Sequence, residues 1–454
     1  MNSNPSAPRA DQTFANDLSS LKQIARDVLD YARQKGASAA ETEVSEAFGQ
    51  SVTVRRGEVE TIEYNRDKGV GVTVYVGQSR GHASTSDLSL KALQDTVDAA
   101  LSIAKLTAAD AYAGLADADL LATEFPELDL FFPWPLTVEA AIEKARVCED
   151  AAFSADPLVS NSEGASVSVQ QSHFVYANSN GFLAGFPSSR HSISCAVIAG
   201  KDDAMQRDDW YTSARDPRDL IDEAEVGRRA GLRAARRVGA RKLPTAKAPV
   251  LYEAPVASGL LSHFVSAVSG GSLYRKSTFL LDALGKTIFS PNVRIRDLPH
   301  IKKGLASGAF DDEGVATRAR DMVNQGVLQG YFLGSYSARK LGMKSTGNAG
   351  GSHNLILEST AGDLNGLMKT MGRGLLITDL LGQGINMVTG DYSRGVAGFW
   401  IESGEIAFPV QEITVAGNLK EMFRHIVAVG NDVEVRSARQ CGSILVEGMT
   451  MAGE

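Results

Sequence analysis

Residues 380–418 read LLGQGINMVTGDYSRGVAGFWIESGEIAFPVQEITVAGN, and the glycine spacing in this run decides how the second half of the chain folds. Short β-type runs alternate with turn signals at Thr389-Gly390-Asp391 and Ser403-Gly404. Phe399-Trp400-Ile401 and Ile406-Ala407-Phe408 flank the second turn, where glycine supplies the positive φ that a tight hairpin requires. The pattern predicts a tight antiparallel meander in a curved sheet. Helices occur elsewhere without regular β-α-β alternation, so the expected class is α+β rather than a doubly wound sheet.

Around the meander, helical spacing is expected near 255–268 and 419–429, and strands near 326–332, 354–358 and 443–451. The stretch 239–249, GARKLPTAKAP, is polar with two prolines and reads as a linker. A β-rich domain is therefore expected over 250–454. Before the linker, apolar residues repeat at helical spacing over 18–34 (Leu21, Ile24, Ala25, Val28, Leu29, Ala32) and stop at Gly36. The period then changes to two, predicting strands at 51–55, 59–64 and 69–76, followed by a helix over 88–106 capped by Ser86 or Asp87. A second cycle follows: a helix at 137–153, strands at 166–170, 174–178 and 191–198 with a turn at Asn180-Gly181, and a helix from Pro217 to 238. The first half thus reads as a mixed helix and antiparallel-sheet domain over 14–240. It carries an internal duplication, with subdomains about 14–125 and 135–240. Residues 1–13 read as a disordered leader.

With 454 residues, 43% hydrophobic and 22% charged, the chain has the makeup of a globular protein with a sizeable core. A net charge of −8 argues against a dedicated nucleic-acid binder. Cys148, Cys195 and Cys441 are scattered, which suits a reducing compartment better than a disulfide framework. No apolar run reaches the ~18–20 residues of a membrane span. The expectation is a cytoplasmic protein without membrane association.

Few residues stand in patterns that carry chemistry. Ser262-His263 suggests a serine nucleophile, but neighbours on a helix point about 100° apart and no GxSxG elbow surrounds any serine. The seven histidines never pair at metal-ligand spacing. Asp311-Asp312-Glu313 is consistent with a cation site and better with a solvated acidic loop. Gly69-Val70-Gly71 and Gly382-Gln383-Gly384 lack the full phosphate-binding pattern. The basic run Arg228, Arg229, Arg233, Arg236, Arg237, Arg241 and Lys242 reads first as a solvated helix face. An intersubunit salt-bridge surface or a weak anionic partner are the other readings.

Several ordered motifs carry a resemblance that extends from about residue 40 to the end. They are Asp311-Asp312-Glu313-Gly314, Gln329-Gly330-Tyr331, Ser345-Thr346-Gly347-Asn348 and Val429-Gly430-Asn431-Asp432, together with the meander. In these the chain resembles the PmbA/TldE branch of the TldD/PmbA family. The resemblance implies a subunit of a complex in which a zinc-bearing TldD-type chain cuts unfolded or modified peptides. Family members are linked with peptide-antibiotic maturation and antitoxin degradation, and carry an older label as modulators of DNA gyrase. In TldD-type relatives the helix after the linker carries HExxxH, completed by a distant cysteine. Leu260-Leu261 and the later Arg275-Lys276 set the register here. Ser262 then stands for the first histidine, His263 for the glutamate and Ala267 for the second histidine. The cysteine position falls within 431–439, which has none. Ser262, His263, Ser266 and Ala267 are therefore expected to be vestigial, with no catalytic residue, metal or cofactor in this chain and zinc in its partner. Tyr274, Arg275 and Lys276, beside that helix, are the substrate-binding candidates. Open sheet edges in the second half are expected to receive extended peptide, and the isolated chain is expected to pair with its own kind. A self-contained hydrolase using His263 and a regulatory gyrase or nucleic-acid binder using residues 228–242 are the alternatives.

Overall fold

A computed structural model describes residues 14–453; the expected leader, 1–13, lies outside the described residues. The first half is one six-stranded antiparallel sheet with four helices on one face. Helix α1 (Leu18–Gln34) is capped by Asp17, whose carboxylate accepts from the Ser20 N–H at 2.7 Å, and it buries Leu21, Ala25, Val28 and Ala32. Strands β1 (Ala39–Arg55), β2 (Glu58–Val76) and β3 (Ser79–Thr85) lead to α2 (Leu90–Leu106). The cycle repeats as α3 (Val138–Ala155), β4 (Val159–Asn178), β5 (Leu183–Ala199), β6 (Gln206–Ala214) and α4 (Glu223–Arg236). The strand order β3-β2-β1-β4-β5-β6 is symmetric about the β1–β4 pair, so the duplicated pattern appears as two halves of one sheet.

Several expected elements differ in extent. The runs 59–64 and 69–76 are one strand, β2, because β1 pairs with it continuously from Arg55 to Ala39. Helix α2 starts at Leu90 with Ser89 as its cap, since the Asp87 carboxylate is used by the Ser89 N–H at 2.8 Å. Pro217 opens only a short 3-10 turn, and α4 begins six residues later behind Asp222, which accepts from the Ala224 N–H. Helices α3 and α4 cross closely. A Cβ built on Gly227 would meet the Cys148 carbonyl oxygen at 1.8 Å, so only glycine allows this approach.

The second half begins inside the expected linker. Strand β7 (Ala246–Tyr252) takes up residues 246–249 and becomes an inner strand of a second sheet. Helices α5 (Ala254–Ala267) and α6 (Gly270–Tyr274) follow. Then come β8 (Ile295–Leu298), β9 (Arg320–Asn324), β10 (Val327–Leu328), α7 (Ser335–Lys340), β11 (Asn354–Leu357) and α8 (Leu364–Met371). The expected strand at 326–332 is only the short return arm of the β9–β10 hairpin. The meander is β12 (Gly374–Leu381), β13 (Asp391–Glu402) and β14 (Glu405–Asn418). Ser403 and Gly404 both have positive φ, 53° and 79°, in the tight turn the sequence predicts. The expected helix at 419–429 is α9 (Leu419–Arg424) followed by strand β15 (Ile426–Val429), whose β-branched residues pair with the final strand. Strands β16 (Arg439–Gln440) and β17 (Ile444–Ala452) complete the chain.

The meander sheet has the order β14-β13-β12-β7-β17-β15, and β14 also pairs with β17. That pairing, Thr414–Ala416 against Ala452–Thr450, closes five strands into a barrel and removes the edge that an open sheet would offer. The closure covers Thr414–Ala416 of β14, and earlier on that edge β14 is met by a bridge between Val410 and Arg241. One pair, β7–β12, is parallel. Tyr252, Phe264, Phe289, Leu333, Tyr392 and Phe423 belong to its core.

Candidate functional site

Two regions hold the residues singled out by chemistry: helix α5 with its surroundings, and the cleft between the halves. Helix α5 is anchored at its start. The Ala254 N–H donates to Ser443 Oγ at 3.0 Å, and Ser443 Oγ donates to Asp432 at 2.6 Å. Leu260, Leu261, Phe264 and Ala267 are buried, so the helix is set by its apolar face. Ser262 Oγ and Ser266 Oγ donate to the carbonyls one turn back, Ser258 at 3.3 Å and Ser262 at 3.0 Å. The Ala267 side chain is fully buried and offers only a methyl. His263 is half-buried, its ring edge-on to Tyr392 at 6.1 Å. Burial and the nearby Arg394 hold its pKa below the usual imidazole value, so the neutral ring prevails near pH 7.

Cys441 lies in the same apolar core as Leu261 and Phe264, only 3% exposed. Burial, with the Asp432 charge adding to it, pushes its thiol up to about 12. A zinc ion does not fit this donor set: a hydroxyl committed to the helix, a methyl and a buried protonated thiol cannot surround it. Among the described residues no group of three or more histidine, cysteine, aspartate or glutamate side chains is placed to hold a metal.

Tyr274 lies beside the cleft, its ring edge-on to Tyr336 at 5.8 Å. The Tyr336 hydroxyl donates to Asp110 at 2.7 Å, tying α7 to the first half. Arg275 is exposed and donates to the Tyr274 hydroxyl at 2.8 Å, while Lys276 is exposed with φ of 55°. The three neighbours therefore present an exposed Arg275 held against the Tyr274 ring, an exposed Lys276 and a ring packed on Tyr336.

The cleft forms where the helix-free face of the first sheet meets the 305–316 loop. Phe310 packs among Phe174, Tyr176, Phe182 and Phe186 and holds the two halves together. Around it lie three adjoining compartments of about 550, 660 and 560 Å³. Their walls include Glu41, Glu43, Asp312, Glu313, Arg80 and Tyr176. None of Ser262, His263, Ser266 or Ala267 lines them. Glu41 accepts from the hydroxyls of Tyr176 at 2.7 Å and Tyr75 at 3.0 Å, and burial holds its pKa above the usual value. Asp311 is not part of a solvated loop. It is 4% exposed, and burial pushes its pKa up to about 7 although it accepts from the N–H groups of Ala349, Glu313 and Val315. Burial and the neighbouring Glu313 also raise Asp312. Sequence reasoning missed Glu41 with its phenol partners Tyr75 and Tyr176, and Glu43 beside it. The available signal was a carboxylate at alternate positions of a strand whose other face is apolar.

The basic run is also placed differently from the expected solvated face. Arg233 Nη1 donates to both Glu253 oxygens at 2.9 Å, and its Nε donates to Asp208 at 3.1 Å. Its guanidinium lies 5.1 Å from the Trp210 ring centroid. Arg237 bridges Asp208 and Asp379, and both arginines are largely buried. Burial opposes the Arg233 charge, but Glu253 and Asp208 overcome it and raise its pKa. Arg228 and Arg229 pair with Glu225, Arg241 lies over Phe408, and Lys242 pairs with Glu412. This run joins α4 to the start of α5, so it is part of the junction between the halves.

The architecture is a first half built from two helix-and-antiparallel-sheet cycles, joined to a small barrel with a cleft between the halves. Family models for the PmbA/TldA metallopeptidase match in sequence: domain 1 over residues 40–104, the central domain over 132–238 and the C-terminal domain over 245–453. The chain belongs to the PmbA/TldD metallopeptidase family. It is 49% identical over 434 residues to the Metalloprotease PmbA of Escherichia coli O157:H7, covering 96% of each chain. A crystal structure from Bacteroides thetaiotaomicron, named as a candidate modulator of DNA gyrase, superposes with a TM-score of 0.91 at 30% identity. That match covers 95% of this chain and 99% of the other. The Metalloprotease TldD homolog of Haemophilus influenzae is more distant, 23% identical over 407 residues, covering 85% of this chain and 84% of its own length. No helix among the described residues is long and apolar enough to cross a membrane.

Proposed function

We propose that this chain is the non-catalytic subunit of a two-chain zinc peptidase, with a homologous TldD-type subunit carrying the metal. The observation that carries the reading is the chemistry of α5: Ser262 and Ala267, which the family resemblance sets against the two zinc-binding histidines, are a helix-bound hydroxyl and a buried methyl, neither of them a zinc ligand. Cys441, protonated in the core, is no substitute ligand. Zinc and its activated water then belong to the partner. This chain supplies a wall of the peptide chamber, with Arg275 and Lys276 as exposed cations for substrate carbonyls or carboxylates. The substrates are unfolded or modified peptides, in the cytoplasm.

The test is co-expression with the TldD-type homologue, followed by metal analysis and a peptide-cleavage assay on the separate and combined chains. Zinc and cleavage are expected only where the homologue is present. Zinc-dependent cleavage by the isolated chain overturns the reading.

A further inference from the structure

Beside the barrel, helix α9 and the loop 279–288 enclose a notch of about 200 Å³. Its floor is apolar: Phe279, Leu280, Ala283 and Ile288 line it and are only 5–6% exposed. Its rim is cationic, formed by Lys286, Lys420 and Arg424. The packing fixes this arrangement. Phe423 is buried and stacks on Phe289 with ring centroids 4.4 Å apart, which pins α9 to the loop. Lys420 and Arg424, four residues apart, then share one face of the helix. In the loop the Lys286 N–H donates to the Ala283 carbonyl at 3.0 Å, and Lys286 joins the rim from that turn. Arg424 lies 3.5 Å from Glu421, whereas among the described residues Lys286 and Lys420 have no ion-pair partner. Asp391 lies within the field of Lys420, but its two oxygens accept from Thr389 and Asn418. Leu281, 41% exposed, also lines the notch.

We propose that this notch captures the free C-terminus of a peptide whose last residue is apolar. The α-carboxylate meets Lys286 and Lys420, and the last side chain enters the apolar floor. Two ammonium groups beside buried apolar surface fit a ligand whose negative charge lies within a bond or two of a hydrophobic group. An aspartate or glutamate side chain carries its charge at the tip and would push it into the floor, where desolvation opposes it. Size sets the other limit. An apolar cavity of ~150 Å³ holds a benzene ring, so about 200 Å³ takes one leucine or phenylalanine side chain and not a long acyl chain. The same loop carries the exposed Arg275 and Lys276 just before Phe279. Such capture names the peptide end held in the proposed peptide-handling role and rests on that role; the binding itself needs neither zinc nor the homologue.

The test is fluorescence anisotropy on the full chain alone, at neutral pH and low salt, with N-terminally labelled Ala-Ala-Phe as free acid and as amide. The acid is expected to bind at least ~10-fold more tightly, since the amide offers the ammonium groups no charge. Unlabelled Ala-Ala-Asp and decanoate are expected to compete at least ~10-fold more weakly than unlabelled Ala-Ala-Phe. Lys286→Ala with Lys420→Ala removes the preference for the acid, and Lys286→Arg with Lys420→Arg keeps it. Thr287→Phe fills the notch from an exposed position and weakens acid and amide alike. Lys286, Thr287 and Lys420 are all exposed, so these variants fold, which circular dichroism checks. Failure of the acid to bind overturns the proposal, as does equal binding of acid and amide. So does a preference that survives Lys286→Ala with Lys420→Ala, binding unmoved by Thr287→Phe, or decanoate binding as tightly as the peptide. Zinc-dependent cleavage by the isolated chain would overturn the subunit reading and leave this capture site standing.

Discussion

Replacing Arg233 with alanine tests whether the basic run is an internal junction or a solvated face. The guanidinium makes four hydrogen bonds to other elements: two to Glu253, one to Asp208 and one to the Thr378 carbonyl. Its side chain is 16% exposed, as is that of Glu253, and Asp208 is 9% exposed. Removing the cation leaves Glu253 buried without its closest partner and Asp208 with Arg237 alone. Breaking a buried ion pair from one side costs about 3–5 kcal/mol, most of it the stranded charge. A solvated arginine would cost about 0–1 kcal/mol. The assay is urea unfolding followed by tryptophan fluorescence and far-ultraviolet circular dichroism, with m-values compared to the parent. Trp210 packs against this guanidinium, so its emission reports the junction directly. Glu253→Gln with Arg233→Met removes both charges, and the double variant is expected to recover more than half the single loss. Limited proteolysis should find the 239–245 segment more easily cut in Arg233→Ala. A loss below about 1 kcal/mol, or additive single and double variants, refutes the reasoning.

Gly227→Val should separate α3 from α4, since even a Cβ there meets the Cys148 carbonyl at 1.8 Å; a loss of about 3 kcal/mol or insoluble protein is expected in a thermal melt. Asp311 carries a pKa raised from 3.8 to about 7 by burial, so the folded state holds a proton that the unfolded chain releases. Its contribution is full below pH ~4 and is lost as pH rises through about 7, by up to roughly 4 kcal/mol. Asp311→Asn should therefore gain on the parent between about pH 5 and pH 8 in denaturant titrations, and equal pH slopes would exclude it. His263→Ala should leave peptide cleavage by the combined chains within about twofold, because its neutral, half-buried ring packs on Tyr392 and, among the described residues, belongs to no group of metal-ligating side chains.

Much of the fold was legible because its signals are local. The Ser403-Gly404 turn, the helical spacing of α1 and α5 and the doubled helix–strand cycle each depend on a few neighbouring residues and their backbone preferences. Strand lengths were not legible. Residues 65–68, NRDK, look like a turn, yet they extend β2 because β1 supplies hydrogen-bond partners across them. Helix α9 and strand β15 looked like one helix for the same reason, since the partners on β17, Ile444–Val446, come 15–20 residues later in the chain.

At the candidate site the division is similar. The sequence by itself determined the family motifs and which atoms α5 offers, because alanine at 267 and serine at 262 limit coordination in any fold. Only the tertiary structure decided how the charges are used. The same arginines that read as a solvated face are buried against Asp208 and Glu253, and the Asp311 that read as a loop carboxylate is enclosed by the backbone of 313–315 and 349. It also decided which sheet edges close, pairing β14 with β17 over Thr414–Ala416. Burial and strand pairing depend on partners distant in sequence, and desolvation, which sets the worth of a charge, exists only once those partners have met.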